Sequence, residues 1–171
     1  MNLVDFYLRR APDYNGRLLQ DIWAWDHEKL EAIHDYIQVL FPLPEPSAYN
    51  SRAPILSTDD IAEFRANATI RENLLRSFRM MLNFYGLEYQ ENPPLVRRAS
   101  HFSERARNWL VLGDHNHLRI TRILRCLCIC GLDAPARAFL ACLLELRDQQ
   151  PREISNETMA YWRDAVPYAG N

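Results

Sequence analysis

The chain has 171 residues, 48% of them hydrophobic and 25% charged, with a formal net charge of −2 at pH 7 and a pI near 6.2. A chain of that length buries roughly 70% of its unfolded surface as one domain, and its near-neutral balance excludes a global polycation effect drawing it to nucleic acid or anionic lipid. The longest apolar stretch, residues 126–132, is far below the about 20 residues that cross a bilayer, and residues 1–5 lack the basic and apolar regions of a secretory signal, so a soluble, intracellular, cytoplasmic protein without a membrane span is expected.

Glycine is scarce and several segments carry helical period, which predicts an all-α fold: a single compact multi-helix bundle over residues 1–171, with its core over about 3–146. Residues 3–10 form a short helix with Phe6 and Tyr7 inward, and Asp13-Tyr14-Asn15-Gly16 is a turn. A short apolar segment, 18–25, leads into 26–41, where Leu30, Ile33, Ile37, Leu40 and Phe41 keep the i, i+3, i+4, i+7 spacing of one buried helical stripe. Pro42 stops that helix. The prolines at 42, 44 and 46 impose an extended connecting loop, which Leu43 and Tyr49 pin to the core.

Ser57 caps a helix that loosens near Asn67, and a second runs over 69–85 to Gly86, placed as a left-handed cap. Residues 88–94 read as a surface loop and 101–112 as a helix. Next comes 115–130, where Ile120, Ile123, Leu124 and Leu127 form one apolar face while Leu118 and Ile129 lie opposite. Apolar residues on two sides mark a central, buried helix. Arg119, Arg122 and Arg125 lie between those faces and need acidic or carbonyl partners if buried. Further helices are expected over 133–147 and 155–165.

No local pattern carries catalysis. There is no glycine-flanked serine elbow and no phosphate-cradling glycine loop, and Asp59-Asp60 is explained by helix capping. Cys126, Cys128 and Cys130 cannot converge on a metal, since alternate helical residues point about 200° apart. His115 and His117 diverge likewise, and His27 and His34 read as structural histidines more readily than as functional ones. Neither a metal nor another cofactor is expected, and the chain is read as a non-enzyme. Trp23, Trp25, Tyr36, Phe41 and Tyr49 suit either a packed core or the walls of a peptide groove. Lysine occurs once, at Lys29, and the arginine excess reads either as coding bias or as an anion site.

Several blocks together resemble the opioid growth factor receptor family: Phe6-Tyr7-Leu8; 26–42 with its Tyr36-Ile37-Gln38; Met80-Met81-Leu82-x-Phe84-Tyr85-Gly86; and His117-Leu118-Arg119-Ile120-Thr121-Arg122-Ile123-Leu124, in the family's order. The resemblance implies a receptor-like module for a short peptide or protein segment, methionine-enkephalin in the animal member, and allows nuclear or peripheral nuclear-envelope association. On it rests a candidate ligand site between the 26–41 and 115–130 helices: Tyr36 and Gln38 for polar recognition, Arg119 and Arg122 for a carboxylate, Trp25 and Phe41 as aromatic walls, with His34 and His117. The alternative is that Arg119 and Arg122 bind an anionic small molecule or a nucleic acid backbone as part of an enzyme, although nucleic acid is not the expected partner. Both arginines equally suit a structural role, paired with acids such as Asp26, Glu28 or Asp35.

Overall fold

The computed structural model describes residues 1–167. These carry ten α-helices and a two-stranded sheet, the mostly helical class expected. They group into two compact units, residues 1–80 with 129–131, and residues 81–128 with the chain from 132 onward.

In the first unit, α1 (Leu3–Tyr7) starts on Asn2, whose Oδ1 accepts the Asp5 N–H at 2.9 Å. It is shorter than expected because Arg9, at φ 60°, takes the left-handed conformation that closes a helix. After α2 (Leu19–Trp23) comes the main departure from the sequence pattern. The 26–41 run is two helices, α3 (His27–Ala32) and α4 (Ile37–Leu40), separated by an extended Ile33 at φ −98° and ψ 132°. Leu30, Ile37, Leu40 and Phe41 are buried as the stripe predicts, but Ile33 is only half-buried. The helix then ends at Leu40 with Phe41 as its cap, just before Pro42, whose missing N–H cannot continue it.

Along the proline-rich connection, Leu43 is buried and forms a parallel bridge with Ile55, with the Leu56 N–H donating to Leu43 O at 3.0 Å. Tyr49, expected to pin this loop, is 83% exposed. The loop is held by the Leu43 pairing instead. α5 (Thr58–Ala66) opens with a reciprocal capping box: Ser57 Oγ accepts the Asp60 N–H at 3.1 Å and Asp60 Oδ2 accepts the Ser57 N–H at 3.0 Å. Asn67 then restarts the chain as α6 (Ala68–Phe84), its Oδ1 accepting from the Thr69 and Ile70 N–H groups.

The second unit contains a hairpin where the sequence predicts a surface loop. β1 (Leu87–Gln90) and β2 (Leu95–Arg98) pair antiparallel, with Glu88 opposite Arg97 and Tyr89 opposite Val96. Each strand has four residues, and only Leu87 and Val96 are buried, so the alternation is too short to stand out from a polar loop. Glu88 Oε1 accepts from Arg97 Nε at 2.6 Å across the pair. α7 (Phe102–Trp109) follows, then α8 (Asn116–Ile129), α9 (Asp133–Gln149) and α10 (Asn156–Ala165); β2 packs on α9. α8 buries His117, Arg119, Ile120, Ile123 and Leu127, whereas Leu118, expected inside, is 53% exposed.

Gly86 sits where the left-handed residue was expected, at φ 76°, and a Cβ there would lie 2.7 Å from the Phe102 Cα. Both conformation and space exclude a side chain. The α7 side chains use this closeness: Arg105 Nε donates to Phe84 O at 2.8 Å and Trp109 Nε1 to Tyr85 O at 2.9 Å, satisfying carbonyls that the end of α6 leaves open. Gly86→Ala is expected to destabilise the protein by about 2 kcal/mol, measured by urea denaturation.

Candidate functional site

Side-chain hydrogen bonds bridge the break between α3 and α4. A helix interrupted there leaves carbonyls without their i+4 donors. The side chains of the family-like run replace them: the Tyr36 hydroxyl donates to Leu30 O at 3.1 Å, and the Gln38 amide, with its nitrogen facing inward, donates to His34 O at 3.1 Å and Asp35 O at 3.2 Å. Tyr36 and Gln38 therefore build the break. With Phe41 they are buried, so none of the three offers surface to a ligand in this conformation.

Asp35 is drawn out of helical register by the turn at 13–17. Arg17 Nη1 meets its Oδ1 at 2.7 Å, Asn15 Nδ2 donates to its Oδ2 at 2.6 Å, and the Tyr14 hydroxyl donates to its backbone carbonyl at 3.0 Å. Arg17 also grips Asp13, Nε to Oδ2 at 2.6 Å, and the Asp13 side chain has no exposed surface. Burial opposes the Arg17 charge, but the hydrogen bonds to Asp13 and Asp35 outweigh it and hold the guanidinium pKa above its ordinary value. Trp25, half-buried, meets Tyr36 edge-on at 5.5 Å, with Lys29 Nζ 4.6 Å and Arg17 Cζ 5.5 Å from its ring centroid. His34, at the break, is exposed.

The same network reaches an open groove of about 680 Å³, lined among others by Leu3, Tyr14, Arg52, Pro54, Ile55 and Asp60, a volume within the range of ligand sites. Asn50 Nδ2 donates to the Tyr14 hydroxyl at 2.6 Å, and Arg52 Nη2 donates to Tyr14 O at 2.9 Å while its Cζ stacks 4.7 Å from the Tyr14 ring centroid. Burial pushes the Tyr14 hydroxyl pKa up, so the phenol stays neutral and donates. Tyr14 and Asn15 read from sequence only as turn residues and Asp60 only as a capping acid, and the sequence does not mark Arg17, Asn50 or Arg52 as site residues. The clue was the turn 13–17 itself, with more hydrogen-bonding side chains than a reversal needs.

In the second unit, Arg119 is buried, with Nη1 donating to Asn116 Oδ1 at 3.2 Å, while Arg122 is half-buried. Nothing in this arrangement supports the anion-binding or enzymatic alternative. His117 is buried between two tryptophans: its Nε2 bonds Trp109 O at 3.0 Å, and its own carbonyl accepts from Trp162 Nε1 at 3.1 Å. Its Nδ1 is buried with no hydrogen-bond partner among the described residues. Burial lowers its pKa from 6.5, reinforced by His115 and opposed by the Trp109 carbonyl and Asp114. Because the unfolded chain then binds the proton more tightly, stability is full above about pH 6.5 and falls on acidification through the lowered pKa. Thermal melts from pH 7.5 to 5 should show this decline, flattened in His117→Gln.

The four cysteines are free, and burial pushes the Cys128 and Cys142 thiols up to about 11, so both remain protonated at neutral pH. Among the described residues no three His, Cys, Asp or Glu side chains are grouped to hold a metal ion, and no helix is long and apolar enough to cross a membrane.

Residues 2–169 match the model of the opioid growth factor receptor (OGFr) conserved region. The chain is 42% identical over 123 residues to the mouse opioid growth factor receptor, covering 70% of this chain and 19% of that protein. It is 39% identical over 123 residues to the human receptor, covering 70% and 18%, and 38% identical over 126 residues to mouse opioid growth factor receptor-like protein 1, covering 71% and 27%. The matched region thus spans roughly a fifth to a quarter of these relatives' length. No solved structure matches. The blocks at 26–42 and 115–124 that suggested the family belong to a match running along nearly the whole chain, and the chain is a member of the opioid growth factor receptor family.

Proposed function

We propose that the chain is a non-enzymatic binding module for a short peptide or partner segment, with its recognition face in the first unit. The observation that carries this is the open groove beside Tyr14 and Arg52, where a guanidinium is held in place by stacking and one hydrogen bond, with edges to spare. Trp25 and His34 extend the face as direct contacts, supported from below by Tyr36, Gln38 and Phe41. The names of the relatives point to an opioid growth factor as ligand class, and the free cysteines suit work inside the cell.

Fluorescence anisotropy of labelled methionine-enkephalin tests the proposal. Saturable binding is expected, weakened about tenfold or more in Arg52→Ala through loss of a charged hydrogen bond. No saturation, or saturable binding that Arg52→Ala leaves unchanged, contradicts it.

A further inference from the structure

We infer that the groove takes its peptide in extended form, paired to the main chain at Ile55, with a peptide carboxylate on Arg52; the inference rests on the peptide-binding reading above. Ile55 is bridged to Leu43 in parallel, and the Leu56 N–H donates to Leu43 O. In a parallel pair bonded this way, the residue between the bonding neighbours turns its own N–H and C=O to the opposite edge. Among the described residues neither the N–H nor the C=O of Ile55 has a hydrogen-bond partner, and Ile55, 51% exposed, lines the groove. An unpaired main-chain edge on a residue that lines a groove is what strand addition uses: main-chain bonds provide attachment, and flanking side chains provide selection.

The charges on the groove select the occupant. Arg52 is exposed, its donors beyond Nη2 are uncommitted, and among the described residues it forms no ion pair. Asp60 is the acid of the lining, turned toward Ser57 through Oδ2. A complementary ligand is an extended peptide with a carboxylate at the Arg52 end and an amine or basic side chain toward Asp60, and with apolar residues against Leu3, Pro54 and Ile55. The carboxylate comes from a chain terminus or from Asp or Glu.

A randomised hexapeptide library in free-carboxyl and C-terminally amidated forms separates these sources. Enrichment confined to the free-carboxyl pool assigns a terminal carboxylate, and enrichment of Asp or Glu in the amidated pool assigns a side chain. Either must fall about tenfold or more with Arg52→Ala and be partly restored by Arg52→Lys. The enriched peptide is then added to ¹⁵N-labelled protein, where exchange of the Ile55 amide should slow about tenfold or more as it becomes hydrogen-bonded. Binding that leaves Ile55 exchange unchanged overturns the added strand while leaving peptide binding intact. No enrichment in either pool overturns both.

Discussion

Arg17→Ala is expected to lower stability by about 3 kcal/mol, because it strands a carboxylate that is out of water. The Asp13 side chain has no exposed surface, and Arg17 is its ion-pair partner at 2.6 Å. The remaining Asp13 Oδ1 bonds, from the Asn15 and Arg17 N–H groups at 2.8 and 2.9 Å, shape the turn but do not neutralise the charge. The loss extends to the break between α3 and α4, since Arg17 also holds Asp35 and flanks Trp25. Urea denaturation measures the effect. A double substitution, Asp13→Leu with Arg17→Met, should recover a large part of the loss, since an apolar pair leaves no buried charge behind. A loss within about 0.5 kcal/mol for Arg17→Ala alone, the range of ordinary surface substitutions, contradicts the role given to this ion pair.

Trp162→Ala is expected to cost more, about 4 kcal/mol, as a large aromatic removed from a closed interior. Trp162 is fully buried on α10, stands edge-on to His117 at 5.5 Å, and donates to the His117 carbonyl. The substitution therefore opens a cavity and removes a buried hydrogen bond together. Trp162→Phe retains most of the packing and loses only the indole donor, so it should recover more than half of the loss. Equal loss in both variants would assign the effect to the hydrogen bond alone.

Helix period, capping residues and punctuation sufficed for most of the architecture. Ser57, Asn67, Gly86 and Ser155 mark boundaries where the helices do begin or end, because capping is decided by neighbours in sequence. The 26–41 run reads as one helix yet forms two for the opposite reason. Its apolar stripe is continuous, and what interrupts it is a turn some 20 residues earlier in the chain, which reaches Asp35 through Asn15 and Arg17. Such tertiary competition for a backbone segment leaves no trace in local periodicity. Tyr36 and Gln38 were legible as unusual polar members of the run, but their partners, the Leu30, His34 and Asp35 carbonyls, became visible only with the break itself. Arg52 and Ile55 lay in a loop whose sequence signalled only prolines and turns.

The most direct test of peptide recognition by the first unit is a ¹⁵N–¹H spectrum of the whole chain titrated with methionine-enkephalin. Saturable shifts clustered at Tyr14, Arg52, Ala53, Ile55 and Asp60, extending to Trp25 and His34, are the predicted result. Shifts confined to α7–α10, or none at saturating peptide, would contradict it.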